Sequence, residues 1–356
     1  MADQFERMDM GSLPEAVQQN LQDIFEGKIL PPLYSDVIAK NVFNADVHPE
    51  RLNFLLRSIA KDDTIDVQTS ASNEAFHPSL YSKSMVTDIP SWLRDGRLSD
   101  LEIQKAKQDF LFTRVELYAS QMLLLQYSVE EGQSKGELHY KNVKSVVIVV
   151  LMVDSPEAFR KFDAISDRYI HRFTEMRADS GLTYPVKAKM IYVQLDKCLK
   201  QFKEGKNAES EDGKPDQLQN WLAMIADVND AKVRKAAQND ETLTRIQKEM
   251  SDMAQNKEVR NMLLQEKFDR MDWISYGIDE REGGRAEGRA EGRAEGRAEG
   301  RAEGRAEERI VSEEKDQRRV WKMHEKGRNP AEIAEDMELP LDTVSRWLAG
   351  PRPALS

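Results

Sequence analysis

The chain has 356 residues, 40% of them hydrophobic and 32% charged, with a formal net charge of −11. That length allows roughly two or three domains of about 100 to 200 residues each. The negative balance excludes a protein that coats nucleic acid through bulk positive charge, so any phosphate contact must come from local basic patches or bound cations. The single cysteine, Cys198, excludes a disulfide framework or a cysteine-based metal cluster within one chain and fits a cytosolic, reducing compartment. The longest apolar stretch, Val146 to Val153, is strand length, and the start MADQFERMDM lacks the apolar run of a secretory signal. A soluble, cytoplasmic protein with no membrane partner is therefore expected.

In chain order, Ser12, Leu13, Pro14 and Glu15 read as a capping box ahead of a helix striped with Val17, Leu21, Ile24 and Phe25. Pro31 and Pro32 end it. A second helix begins near Ser35-Asp36 with Val37, Ile38, Val42 and Phe43, and a third runs from Pro49 with Leu52, Leu55, Leu56 and Ile59 on one face. Thr64 to Thr69 is β-prone. Tyr81 to Ile89 reads as a strand that ends before Pro90, and Asp95-Gly96 is a turn signal. Leu98 to Gln104 alternates like a half-buried strand. A long helix over Phe110 to Tyr127 follows, then Val143 to Val153 as a strand covered on both faces, then a strand over Lys187 to Leu195.

Gly205 to Pro215 reads as a linker, and Asp216 to Asp279 as helices carrying Trp221, Leu222, Ile225, Leu243, Ile246, Met250, Leu263, Leu264, Phe268 and Trp273. GRAE then recurs six times from Gly284 to Glu307. Like charges four residues apart and glycine at every fourth position, at a cost of about 1 kcal/mol each, make this a solvated tether or a fraying helix. The tail shows three short helices: Asp316 to Glu325 closed by Gly327, a second capped by Asn329-Pro330, and a third over Asp342 to Leu348. That is helix-turn-helix spacing. The expected domains are an N-terminal helical extension (1–33), an α/β core (34–204), a helical region (216–282), the repeat (283–308) and the helix-turn-helix (309–356).

The chemistry-bearing candidates are Asp88 and Glu102, on two strands joined by a tight turn. Side chains at i and i+2 share a face, which puts Glu102 with Gln104 and opposite Leu101 and Ile103. If the register sets Asp88 against Glu102, two carboxylates and an amide converge, a hard-oxygen set suited to Mg²⁺ or Mn²⁺. Such an ion polarises a phosphate and acidifies its bound water. Polar alternation alone also reads as a plain solvent face. Other chemistries lack residues: His48, His77, His139, His171 and His324 are scattered, and no nucleophile elbow or phosphate-binding glycine loop occurs.

The order helix, Asp88, turn, Leu-Glu-Ile-Gln, long helix resembles the PD-(D/E)XK nuclease superfamily, and within it the recombination-promoting nuclease (Rpn) or nuclease-family transposase group. The matching residues are Asp36, Lys40 and Phe43 on the opening helix, Lys83 with Asp88, Glu102-Ile103-Gln104, Arg114 and Tyr118 on the long helix, and Gly136 and Tyr140 before the Val143 strand. The likeness covers about residues 34 to 310 and extends to the Gly-Arg-Glu repeats.

It implies an α/β, restriction-endonuclease-like mixed sheet flanked by helices, and a metal-dependent DNA endonuclease of little sequence preference linked to recombination or mobile elements. Asp88 and Glu102 become metal ligands and Gln104 orients water or phosphate. Asp36, Lys83 and Arg114 are accessory candidates. Gln104 stands where the superfamily has Lys, which leaves open a second metal, a charge from Lys105 or Lys107, or weaker activity. In the tail, Thr343, Ser345 and Arg346 lie on the exposed side of the last helix, where base or phosphate contacts arise. Since Lys/Arg and Asp/Glu balance there, a packing or self-association module is the competing reading. A catalytically decayed DNA-binding protein is the alternative for the whole chain.

Overall fold

The computed structural model describes residues 10–71, 87–105, 110–133, 143–271, 308 and 311–353. Lys83, Lys107, Gly136, Tyr140, Trp273 and the GRAE repeat lie outside the described residues. The chain divides into two compact units, residues 1–270 and 271–356.

The first unit opens with three helices, α1 (Glu15–Phe25), α2 (Asp36–Val42) and α3 (Pro49–Ala60), each with its apolar stripe inward. The capping box expected at Ser12 does not form. Pro14, whose side chain makes no cap hydrogen bond, is the N-cap of α1, and Ser12 closes a 3-10 turn instead. Strands β1 (Val67–Ser70), β2 (Ile89–Leu93) and β3 (Leu98–Gln104) follow, then α4 (Leu111–Gln133), β4 (Val146–Met152), α5 (Glu157–Phe162), β5 (Ile170–Arg177) and β6 (Thr183–Gln194). Helices α6 (Leu195–Lys203), α7 (Gln217–Ala226), α8 (Ala231–Ala237), α9 (Glu241–Gln255) and α10 (257–271) complete it.

The six strands form one mixed sheet in the order β1-β2-β3-β4-β6-β5. The outer pairs are antiparallel and the central β3-β4-β6 run is parallel. A parallel pair needs a crossover connection, and α4 provides it between β3 and β4. One sheet face packs on α2, α3 and α6–α9 through Leu101, Ile103, Val147, Val149, Leu151 and Ile191. The other packs on α4 through Leu98, Val146, Ile148, Val150 and Met152, which meet Leu111, Val115, Ala119 and Met122. This mixed sheet with flanking helices is consistent with a restriction-endonuclease-like fold.

Two strand expectations change. The strand before the turn begins at Ile89 and runs through Pro90, so Asp88 precedes it. Proline is tolerated there because its carbonyl, the one ladder group it keeps, accepts the Ala71 N–H at 2.9 Å. Strand β3 is buried along its whole length rather than on one face, since α4 covers the side that alternation marked as solvent. Helix α5 and strand β5 were not anticipated. The presumed linker at 205–215 is pinned instead: the Tyr169 hydroxyl donates to Asn207 Oδ1 at 2.8 Å, and Glu209 Oε1 accepts from the amides of Tyr169 and Ile170 at 3.1 and 3.0 Å.

The helices α7 to α10 are not separate from the sheet. Buried Arg51 of α3 grips Glu249 of α9 with both guanidinium nitrogens at 2.7 Å, and Trp221, Ile225, Leu243 and Met250 share the core of Leu55 and Val149. In the second unit, helix 311–325, Pro330–Asp336 and Leu341–Ala349 close around Val320, Ile333 and Val344. A capping box at Asn329 and Glu332 starts the middle helix. No helix among the described residues is long and apolar enough to cross a membrane.

Candidate active site

The β2–β3 hairpin sets the site's geometry from its far end. Gly96 takes φ +81° in the turn, a region closed to most side chains. Its neighbour Arg97 is buried and donates to Asp95, Asp62 and Thr64 at 2.7, 2.9 and 2.8 Å. With the turn held, the strands pair as Ile89 with Leu101 and Trp92 with Leu98. Extending that register by one residue sets Asp88 against Glu102.

The hydrogen bonds agree. The Asp88 amide donates to Glu102 Oε2 at 3.3 Å, the Ile103 amide donates to Asp88 Oδ2 at 2.8 Å, and the Ile89 amide donates to Asp100 Oδ1 at 3.3 Å. Asp100, Glu102 and Gln104 alternate onto the face opposite Leu101 and Ile103, beside Ile148, Val150 and Met152 of β4.

Helix α4 closes this face. Its buried positions 111, 115, 118, 119 and 122 form a stripe against the sheet, and Arg114 projects from the same turn. Arg114 Nη2 donates to Glu102 Oε1 at 2.7 Å and to Gln104 Oε1 at 2.6 Å, while its guanidinium carbon lies 5.7 Å from the Tyr118 ring centre. The amide at position 104 thus accepts a hydrogen bond from a cation where a lysine would supply one.

Burial and mutual repulsion dominate the electrostatics. Burial, followed by the Asp88 charge, pushes the Asp100 carboxyl up to about 8. Burial and the Asp88 and Asp100 charges hold Glu102 well above the carboxylate range, against the pull of Arg114. Burial also raises Asp88, opposed by the Ile103 amide, and lifts the Tyr118 phenol to about 12. Asp100 Oδ2 has no hydrogen-bond partner among the described residues. A buried carboxylate with an unfilled oxygen is a costly arrangement in a merely structural core.

A second ring of charge borders Asp88. Lys105, directly after β3, lies 2.7 Å from Asp36 Oδ1 of α2 and contacts Glu266 Oε1 of α10. Ser35 Oγ donates to the other Glu266 oxygen at 2.5 Å. Burial works against the Lys105 charge, but Glu266 and Asp36 outweigh it and raise its pKa.

Residues 33–280 match the family model for PD-(D/E)XK nuclease family transposases. The chain belongs to this family. No curated protein matches the chain, and neither does any solved structure.

For a member of this PD-(D/E)XK family, the structure gathers Asp88, Glu102, Gln104 and Arg114 in one place and sets Asp36 one ion pair away, on Lys105. Lys83 lies outside the described residues. Thr343 is half-buried and Ser345 and Arg346 are exposed on Leu341–Ala349, in the other unit. Two participants escaped the sequence. Asp100 was detectable as the residue two before Glu102 on a strand, hence on its face. Glu266 carries no local signal, because its partner Lys105 lies 161 positions away.

Proposed function

We propose that this chain is a divalent-metal-dependent DNA endonuclease that hydrolyses phosphodiester bonds with little sequence preference and serves recombination or mobile-element processes in the cytoplasm. The carrying observation is that Asp88 and Glu102 meet across the β2–β3 register. Among the described residues no three His, Cys, Asp or Glu side chains enclose a metal site. The donor set nevertheless fits Mg²⁺ or Mn²⁺, which are commonly bound by one or two carboxylates with water and substrate phosphate completing the shell. A divalent cation here would favour the charged forms of these buried carboxyls and could fill the orphaned Asp100 oxygen.

In this reading Asp88 and Glu102 hold the ion, which supplies Lewis-acid polarisation of the phosphate and acidification of water. Gln104 orients the attacking water or a phosphate oxygen. Arg114, already on Gln104 and Glu102, provides the positive charge that the superfamily's lysine provides and screens the charge growing on the phosphate. Asp100 stands behind the ligands on the same face of β3. Asp36, held on Lys105, is an accessory candidate, as is Lys83, which lies outside the described residues.

The tail, with Ser345 and Arg346 exposed and Thr343 half-buried on its last helix, serves as a helix-turn-helix that brings the nuclease to DNA, and self-association is compatible with the chain's long helices. The parts act as an extension (1–33), a nuclease core (34–204), a helical region (216–282), a tether (283–308) and the tail (309–356).

One observation favours a second reading, a catalytically decayed DNA-binding protein: Arg114 already occupies Oε1 of Glu102, a proposed ligand, and Oε1 of Gln104. Cleavage of supercoiled plasmid with Mg²⁺, Mn²⁺ or EDTA, beside Asp88→Ala, decides between them. Equal nicking by wild type and Asp88→Ala defeats the nuclease reading, and DNA binding without cleavage supports the decayed one.

A further inference from the structure

The strongest unassigned feature is the basic rim beside Asp88. Helical spacing and two ion pairs build it. Asp36 and Lys40 are four residues apart on α2, and Glu266 and Arg270 four apart on α10, so each pair shares one side of its helix. Lys105 joins the two helices by touching both Asp36 and Glu266, and the Asp36 amide points at Glu266 Oε1 at 3.4 Å. Lys40 is exposed, Arg270 is exposed and Lys267 is half-buried.

The charges act on one another. Lys40 and Lys105 both act on the Asp88 carboxyl, Glu266 and then Arg270 and Lys105 act on Lys267, and Tyr34 lies within reach of Arg270 and Lys105. Asp36 and Glu266 are already engaged by Lys105; Lys40, Lys267 and Arg270 close no salt bridge among the described residues, although Glu266 acts on Lys267 and Lys40 acts on Asp88. Like cations held together on a chain of net charge −11 fit a polyanion better than they fit the fold alone.

We propose that Lys40, Lys267 and Arg270, arranged around Lys105, form a ledge that holds the phosphate backbone of duplex DNA next to the candidate active site. The helix α10 would then be part of the DNA-binding surface rather than only a support for the sheet. Cations on three separate chain segments reading a regular polyanion give affinity without sequence preference. The inference takes duplex DNA as the ligand from the nuclease reading and depends on that reading for nothing else.

The test is binding by the full chain, in EDTA, of a fluorescein-labelled 20-base-pair DNA duplex, followed by anisotropy across a NaCl series. Each lost phosphate contact lowers the slope of log K against log[NaCl] by about 0.9. The double variant Lys40→Gln/Arg270→Gln, confined to exposed side chains, should therefore bind with a slope shallower by about 2, and addition of Lys267→Gln should lower it by about 1 more. An unchanged slope in the double variant overturns the proposal. So does a slope change produced only by Arg346→Gln, a wild type that binds no duplex, or a slope loss confined to an RNA duplex of the same length. Because no cleavage is read, the two ideas separate. A wild type that never cuts but loses slope in these variants keeps the ledge and loses the nuclease. One that cuts while the slopes stand still does the reverse.

Discussion

The two faces of the central sheet are built from the same strands and do opposite things. Toward α2, α3 and α6–α9, residues Leu101, Ile103, Val147, Val149 and Leu151 join one continuous apolar core. Toward α4 the apolar row of β4 faces Asp100, Glu102 and Gln104 of β3, all buried. Apolar burial stabilises by about 25 cal/mol per Å², whereas a buried carboxylate destabilises unless a partner or an ion meets it. The difference teaches that the first face is apolar throughout, whereas the second sets buried acids of β3 beside an apolar row of β4. Substitutions on the two faces should therefore separate activity from folding.

The sharpest break is at the acids. Asp88→Asn or Glu102→Gln should lower plasmid cleavage at least about 100-fold, from the loss of several kcal/mol of transition-state stabilisation. The midpoint of thermal unfolding should hold or rise, since a buried like charge is removed. A variant that keeps full cleavage removes the residue from the mechanism. On the other face, Leu55→Ala should cost about 3 kcal/mol in urea unfolding, with the cleavage rate per folded molecule nearly unchanged. A Leu55→Ala protein of wild-type stability would contradict the packing.

A smaller effect tests the bridge between α4 and the acids. Arg114→Gln should slow cleavage about 10-fold, the worth of a charged hydrogen bond of about 1.5 kcal/mol, and Arg114→Lys should recover part of it. Identical rates for the Gln and Lys variants would assign Arg114 a purely structural role. The gentlest probe is pH. Asp100 has a folded pKa raised from 3.8 to about 8. Its contribution to stability is fully present below about 4 and is lost as pH rises toward 8. The metal-free protein should therefore melt at lower temperature at pH 8 than at pH 5.5, and Asp100→Asn should flatten that trend. Mn²⁺ should raise the melting temperature more at pH 8. A pH trend unchanged by Asp100→Asn would show that Asp100 is not the group responsible.

Much of the site was legible because strand geometry is local. The i, i+2 rule paired Glu102 with Gln104, the Asp95-Gly96 turn announced the hairpin, and the register that aligns Asp88 with Glu102 follows from that turn's position. Asp100 obeyed the same rule and was passed over only because alternation on β3 resembled a solvent face. The capping box at Ser12 failed for a converse reason: Ser12 was drawn into a 3-10 turn, and a local motif yields to the turn that precedes it. Strand β5 escaped because its Ile-His-Arg-Phe-Thr-Glu-Met-Arg run is polar where the hairpin is exposed, so its pairing with β6 rather than its own pattern makes it a strand.

Sequence alone determined most helix and strand periods and the tight turn, and offered the pairing of two acids as one register among others, because these depend on chain geometry within a few residues. Tertiary structure alone decided that β3 is buried on both faces, that Arg114 reaches Glu102 and Gln104, and that Glu266 meets Lys105 across 161 positions. Burial and charge coupling depend on which surfaces the fold brings into contact, and no stretch of sequence carries the desolvation that raises the pKa values of Asp100 and Glu102.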